Sequence, residues 1–148
     1  WHPLSLIIGK VVVDWIAQRT NEFGSFGTET GIGWQKNGEI VAGVAYANWN
    51  GPNVECHIAS DGTRRWMTRE YLWTVFDYPF RQLGVLRITV CVGEGNSNSR
   101  RFVEHLGFEL ETTLRAAHPT GDLLVYTMFK EKCRWISADF YTPLQKAA

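Results

Sequence analysis

The fold is decided by one stretch of the chain, VECHIASDGTRRWMTREYLWTVFDYPF, at residues 54–80. Its first part, Val54 to Ser60, is mostly apolar and favours a β-strand. A short polar loop, Asp61 to Arg65, follows, and the apolar spacing beyond it predicts a helix from Trp66 to Phe80. Such a helix start directs unpaired backbone N–H groups toward the carboxyl end of the strand. The stretch therefore predicts an anion site.

Three arginines surround this predicted site. Arg64 and Arg65 lie in the loop, and Arg69 lies in the first helical turn. They add positive charge where the helix dipole is already positive, which favours an anion such as the pyrophosphate of a cofactor. The same residues are also typical of an ordinary solvated loop, and this stretch alone leaves both interpretations open.

Composition bounds the class of protein. A chain of 148 residues with 45% apolar residues predicts a single domain, 1–148, with an N-terminal helical segment at 1–30 and a tail at 131–148. The 15 basic and 15 acidic residues balance, which argues against a nucleic-acid partner or an anionic membrane surface. No apolar run is long enough to span a membrane.

The cysteines indicate the compartment. Cys56, Cys91 and Cys133 are too scattered for a zinc site, and an odd number argues against a disulfide framework. We therefore expect no metal centre and a cytoplasmic location.

The first half of the chain predicts a short helix and a meander of strands. Leu4 to Ile7 suggests a strand, and apolar residues at helical spacing predict a helix over Lys10 to Thr20. Residues 21–30 have the composition of a loop. The Asn37-Gly38 pair between two apolar runs predicts a hairpin, Gly31–Gln35 with Glu39–Asn48, to which the strand at Val54 pairs back.

The second half predicts a β-α-β unit. Leu86 to Val92 is apolar almost throughout, which is typical of a strand buried on both faces. A capping-rich turn then opens a helix that ends at Gly107, and strands at Phe108–Leu114 and Leu123–Phe129 follow. The order predicts an α/β fold of the α+β kind, a mixed, mostly antiparallel sheet with a central β-α-β unit and helices on both faces.

Several motifs now carry a family likeness. The run Asn96-x-x-Ser99, continued to Leu106-Gly107-Phe108 behind a buried strand, resembles the second half of the GNAT superfamily of N-acetyltransferases. Three further runs of this chain resemble the branch of that superfamily that acetylates protein amino-termini. They are Arg69-Glu70-Tyr71-Leu72, Asp77-Tyr78-Pro79-Phe80 and the segment from Leu83 to Thr89. The run from Met128 to Trp135 resembles phage-borne and prophage-borne relatives. The likeness spans roughly residues 30–135.

The resemblance implies a GNAT-like N-acetyltransferase that transfers an acetyl group from acetyl-CoA, its co-substrate, to a primary amine on a protein, peptide or small molecule. In that family the pantetheine arm lies between two diverging strands and pairs with backbone groups, here those of Ile58 and Ser60. Asn96 would lie beside the pantetheine. The loop amides that would hold the pyrophosphate belong to Arg64, Arg65, Trp66, Met67, Thr68 and Arg69.

Two positions depart from the family pattern. Trp66 and Thr68 occupy positions where the family has residues that let the backbone approach phosphate closely, chiefly glycine. Val103 stands where many members carry a tyrosine that protonates the leaving thiolate, and a valine cannot donate a proton. Either the arginines compensate for the replaced glycines or binding of acetyl-CoA is weakened. Without the tyrosine, the general acid is another group, a water, or none.

The chemistry needs a base for the amine proton and a donor for the thioester. Glu55 is the first candidate base because the resemblance places a carboxylate on that strand near the amine; His57 is the second and Asp61 the third. Ser99 is a candidate to stabilise the thiolate. The alternatives are an exposed strand carboxylate, a core histidine and a serine that only caps a helix.

Two other functions stay open at this stage. The lost glycines and tyrosine also suit a catalytically degenerate phage or virion binding protein on a GNAT scaffold. A nucleic-acid-modifying relative is the third hypothesis, for which Arg100-Arg101 would supply a local phosphate patch. The aromatic tail after Lys132 would suit a homodimer contact or pack on its own sheet.

Overall fold

The computed structural model describes residues 4–20, 30–63 and 68–136. In chain order its elements are β1 Leu4–Ile8, α1 Lys10–Thr20, β2 Gly31–Lys36, β3 Glu39–Ala47, β4 Asn53–Ser60, α2 Arg69–Asp77, β5 Arg87–Gly93, α3 Ser97–Leu106, β6 Glu109–His118 and β7 Gly121–Phe129. The described strands form one seven-stranded sheet in the order β1-β2-β3-β4-β5-β7-β6, in which only β4 and β5 are parallel. The predicted mixed sheet is therefore confirmed.

The turn between β2 and β3 has the geometry that its sequence predicts. Asn37 and Gly38 both have positive φ, 52° and 82°, as a tight hairpin turn requires of its two central residues. β4 then pairs antiparallel with β3, from Ala47↔Glu55 to Ala42↔Ser60. The predicted three-stranded meander is confirmed.

Glycines let α1 pack closely against one face of the sheet. A Cβ at Gly43 would lie 2.8 Å from Val12 Cγ1, and one at Gly31 would lie 2.9 Å from Val12 Cβ. Val12 and Ile16 are fully buried there together with Ala45. The strands thus present backbone rather than side chains to α1, and the helix seats against them.

The larger core lies on the opposite face, where α2 and α3 pack. Two buried tyrosines are hydrogen-bonded there: Tyr71 donates to the Ile32 carbonyl at 2.8 Å, and Tyr46 donates to the Val75 carbonyl at 2.6 Å. Buried polar groups are costly without such partners. With α1 on the other face, the prediction of helices on both faces is confirmed.

The central helix differs from its predicted span. Within the described residues α2 begins at Arg69, with Thr68 as its cap, and residues 66–67 lie outside the description. A π-helical turn, Tyr78–Leu83, continues α2 and closes at Gly84, whose φ is 76°. Pro79 explains the change from α-helical to π-helical hydrogen bonding, because proline has no N–H to donate to the carbonyl of Val75. The Tyr46 hydroxyl supplies that hydrogen bond instead.

One prediction about β5 is wrong. The strand is not buried on both faces: Ile88, Val90 and Val92 are buried, but Cys91 between them is exposed. α1 packs chiefly against β2, β3 and β4, so it leaves Cys91 on the second face of β5 exposed. An apolar run alone cannot distinguish one covered face from two.

The tail packs on its own chain as far as it is described. Arg134 Nη2 donates to the His105 carbonyl at 2.7 Å and Trp135 Nε1 donates to the Leu106 carbonyl at 2.8 Å, which satisfies the end of α3. Residues 137–148 and 21–29 lie outside the described residues, so the homodimer contact of the tail and the loop at residues 21–30 stay predictions. None of the described helices is long and apolar enough to cross a membrane.

Candidate active site

The central β4 and β5 strands pair only at their start. Three Cα pairs join them, Asn53↔Arg87, Val54↔Ile88 and Glu55↔Thr89. Both strands then continue, β4 to Ser60 and β5 to Gly93, without further pairing to each other. The two strands therefore diverge toward their carboxyl ends, as the family resemblance implies.

A small apolar cavity, about 20 Å³ in volume, lies at this divergence, on the face that carries α2 and α3. Cys56 and Ile58 of β4 and Ile88 of β5 contribute from the sheet. The helices and neighbouring segments complete the lining with Tyr71, Leu72, Val75, Phe76, Phe102, Leu106, Phe108 and, from β3, Val44. Its apolar lining favours a group of low polarity over a charged group.

Cys56 is not a nucleophile in this setting. Burial raises the pKa of its thiol far above the usual range, and the nearby Glu55 charge raises it further. A protonated, buried thiol is inert. Cys56 thus serves as an apolar wall of the cavity.

The loop after β4 is held by its own polar side chains. Ser60 Oγ accepts from the Gly62 N–H at 3.2 Å, and Asp61 Oδ1 accepts from the N–H and hydroxyl of Thr63 at 2.9 and 2.7 Å. Asp61, the third candidate base, is thus a turn residue in this structure.

At the far end of the loop Thr68 caps α2, because its hydroxyl accepts from the Tyr71 N–H at 3.2 Å. Arg69 is exposed in the first turn. Arg64, Arg65, Trp66 and Met67 lie outside the described residues, so their predicted role at a pyrophosphate stays a prediction.

Glu55 and His57 point to the face opposite the apolar cavity. Successive side chains of a strand alternate between faces, and Cys56 and Ile58 face the cavity. Both Glu55 and His57 are half-buried. The structure therefore places the two candidate bases on one face of the divergence and the apolar cavity on the other.

Two polar residues that the sequence analysis did not identify lie beside Glu55. Asn48 Nδ2 donates to Glu55 Oε2 at 3.0 Å, and Thr89 is the Cα partner of Glu55 on β5. The register of β3 against β4 was the signal available for Asn48, because Ala47 pairs with Glu55 and Asn48 is the next residue in the chain. No local pattern determines the register of β5 against β4, so the position of Thr89 beside Glu55 could not be predicted.

A polar network extends from Thr89 across the same face of the sheet. The Thr89 hydroxyl donates to Asn53 Oδ1 at 2.7 Å. Arg87 donates to Thr89 and Thr127 at 3.1 and 2.6 Å and forms a two-pronged ion pair with Glu111 at 2.8 and 2.9 Å. The charges of Arg87 and Glu111 balance one another, whereas the Glu55 carboxylate accepts a hydrogen bond from the neutral amide of Asn48.

The start of α3 shows what Asn96 and Ser99 do locally. Asn96 caps the helix, with its Oδ1 accepting from the Ser99 N–H at 3.1 Å. Ser99 is therefore not the cap but a half-buried residue of the first turn. Val103 is 2% exposed and packs in the core, so a side chain there is directed inward. The predicted roles of Asn96 and Ser99 toward a cofactor stay predictions.

Within the described ranges, no three histidine, cysteine or acidic side chains lie close enough together to hold a metal ion. The polar groups at the divergence include the Glu55 carboxylate, the His57 imidazole and the neutral amide and hydroxyl groups of Asn48 and Thr89.

Comparison with known proteins establishes the fold. No protein-family profile matches the chain, and no curated protein matches it in sequence. Among solved structures, spermidine/spermine N-acetyltransferase SpeG from Vibrio cholerae is similar, with a TM-score of 0.68 and 16% identity over 88% of this chain and 94% of that one. A GNAT-family acetyltransferase from Bacillus anthracis has a TM-score of 0.55 and 17% identity over 68% and 66% of the two chains. The chain thus has the mixed α/β fold of these acetyltransferases.

Proposed function

We propose that this protein is an acetyl-CoA-dependent N-acetyltransferase with a primary amine as acceptor. The observation that carries the proposal is the divergence of β4 and β5 after the Glu55↔Thr89 pair, above an apolar cavity. A separated strand exposes main-chain groups to which an extended amide-containing chain can bond, as a peptide adds to a sheet edge. The pantetheine arm of acetyl-CoA is such a chain.

The other end of the cofactor would lie at the start of α2. Its first backbone N–H groups and the exposed Arg69 make a basic helix start that favours a pyrophosphate. Arg64, Arg65, Trp66 and Met67 stay predicted contacts from the sequence alone. The Thr68 hydroxyl accepts from the Tyr71 N–H as the cap of α2, and its own O–H can still donate to a phosphate oxygen.

The reaction itself requires little from the protein. Bound acetyl-CoA would supply the thioester, whose carbonyl carbon forms a bond to the amine nitrogen while its carbon–sulfur bond breaks and the thiolate leaves. Glu55, on the face opposite the cavity, takes the proton from the amine, and His57 is the second candidate. Because Val103 cannot protonate the thiolate, we assign that proton to water.

The groups at the divergence of β4 and β5 do not determine which amine is the acceptor, and we assign that selection to segments outside it. Glu55 favours a cationic or polar amine in its vicinity through charge. All three cysteines are free thiols, which supports a reducing compartment, and we place the reaction in the cytoplasm.

A direct assay tests the proposal. The protein is incubated with acetyl-CoA and a panel of small primary amines and peptides with free amino-termini, and both thiol release and the mass of the acceptor are followed. We expect thiol release that depends on an acceptor and a product heavier by one acetyl group. Binding of acetyl-CoA without transfer to any acceptor would overturn the catalytic proposal and favour the degenerate binding protein.

A further inference from the structure

Asn48 is the residue that contacts the Glu55 carboxylate. It follows β3 directly, and the Ala47↔Glu55 pair brings its amide beside the strand that carries Glu55. Asn48 Nδ2 donates to Glu55 Oε2 at 3.0 Å. Hydrogen bonds to an ionised group are shorter and stronger than neutral ones, and they fix its orientation.

The backbone at Asn48 narrows the choice of residue further. Its φ is 55°, in the left-handed region that glycine, asparagine and aspartate adopt most readily. Glycine offers no side chain, and an ionised aspartate offers no donor. Asparagine is therefore the residue among these three that both accepts this backbone and donates to Glu55.

We propose that Asn48 is the positioning residue for the general base Glu55. One hydrogen bond fixes the carboxylate and leaves it with acceptor capacity for the proton of an amine. The inference rests on the proposed function, because it assigns Asn48 a role in that same site.

The charges around Glu55 bear on how the site responds to pH. On its own strand His57 shares its face, and on β5 the neighbours of Thr89 on that face are Arg87 and Cys91. Glu111 of β6 is paired with Arg87 at 2.8 Å.

α1 packs against the same face of β4 and also carries charges. Its Lys10 and Asp14 pair with each other at 3.0 Å, and Arg19 lies over the Trp15 ring. Among the described residues, the neutral amide of Asn48 donates directly to the Glu55 carboxylate, and a charge introduced at that position acts on Glu55 at close range.

Two variants test the role. Asn48→Gly keeps the left-handed backbone and removes the donor, and we expect kcat to fall roughly tenfold with an unchanged KM for acetyl-CoA. Asn48→Asp places a second carboxylate beside Glu55, which favours the protonated form of the base. We expect the acidic limb of its kcat-pH profile to move to higher pH.

Asn37→Gly is the matched control, because Asn37 has nearly the same φ, 52°, in the distant turn between β2 and β3. It should leave kcat and the pH profile unchanged. An active wild-type protein whose kcat and pH profile are unaffected by both Asn48 variants would overturn this inference alone. A wild-type protein that transfers no acetyl group to any acceptor would overturn the proposed function and this inference with it.

Discussion

Glu55 and Thr89 form the last parallel pair between β4 and β5, and the strands separate beyond it. This pair therefore marks the apex of the cleft, with the apolar cavity on one face and the Glu55 carboxylate on the other. If the strands had continued in register, His57 would have faced Cys91.

The divergence can be tested by cross-linking. A disulfide requires Cα atoms roughly 4.4–6.8 Å apart, a range that directly paired strand residues satisfy. We expect the double variant Glu55→Cys/Thr89→Cys to form an internal disulfide on mild oxidation, seen by mass spectrometry after alkylation. The single variant His57→Cys should leave its new thiol unlinked to Cys91. Efficient formation of that second disulfide would mean that the strands stay paired.

Removal of the proposed base should affect turnover more than cofactor binding. Glu55→Gln keeps the shape of the side chain but accepts no proton, and loss of a general base typically costs about 100-fold or more in rate. We expect kcat to fall to that extent while the KM for acetyl-CoA stays within about twofold. Glu39→Gln, an exposed carboxamide variant on β3, serves as the control. Equal activity of the two variants would exclude Glu55 as the base.

The three thiols should differ in reactivity. Burial raises the pKa of Cys133 to about 11 and that of Cys56 higher still, whereas Cys91 is exposed. Because the thiolate is the reactive form, iodoacetamide at pH 8 should modify Cys91 first in the folded protein. Peptide mapping after a short pulse measures this. Early modification of Cys56 would show that the cavity wall is open to solvent.

The ion pair between Arg87 and Glu111 predicts a pH-dependent stability. The hydrogen bond from Arg87 lowers the pKa of the Glu111 carboxyl below its ordinary value. A lowered pKa in the folded state stabilises the protein above the unfolded-state pKa, about 4.3, and this contribution is lost as the pH falls through the folded-state pKa.

Urea unfolding should therefore show Glu111→Gln to be less stable than wild type at pH 7, with the difference shrinking toward pH 3. Glu109→Gln is the comparison, because its partner Lys132 lies 3.8 Å away and both side chains are largely exposed. A difference for Glu111→Gln that stays constant with pH would contradict the assignment.

Local signals in the sequence predicted most of the fold. Asn37-Gly38 specifies a turn by its backbone preference, and Asn96 marks the start of α3 as its cap. The π-helical turn at Tyr78 was not predicted, because the hydroxyl that replaces the missing N–H of Pro79 comes from Tyr46, distant in sequence. A single exposed face of β5 likewise depends on where α1 packs.

The candidate site was predictable only in part, because some of its contacts join residues that are distant in sequence. The family resemblance indicates Glu55 and His57 as candidates because it places the amine near their strand, but their position on the face opposite the cavity follows from the pairing of three strands. The contact from Asn48 depends on the hairpin register and on a left-handed backbone conformation. Such long-range relations are set by tertiary packing, which no local pattern encodes.

Calorimetric titration with acetyl-CoA tests most directly whether the cleft between β4 and β5 binds the cofactor. We expect saturable binding of one acetyl-CoA per chain, weakened by Ile58→Trp, which would fill the apolar cavity, and not by Leu86→Trp at an exposed position outside it. Absence of any binding heat at millimolar acetyl-CoA would contradict the proposed function and support only the fold.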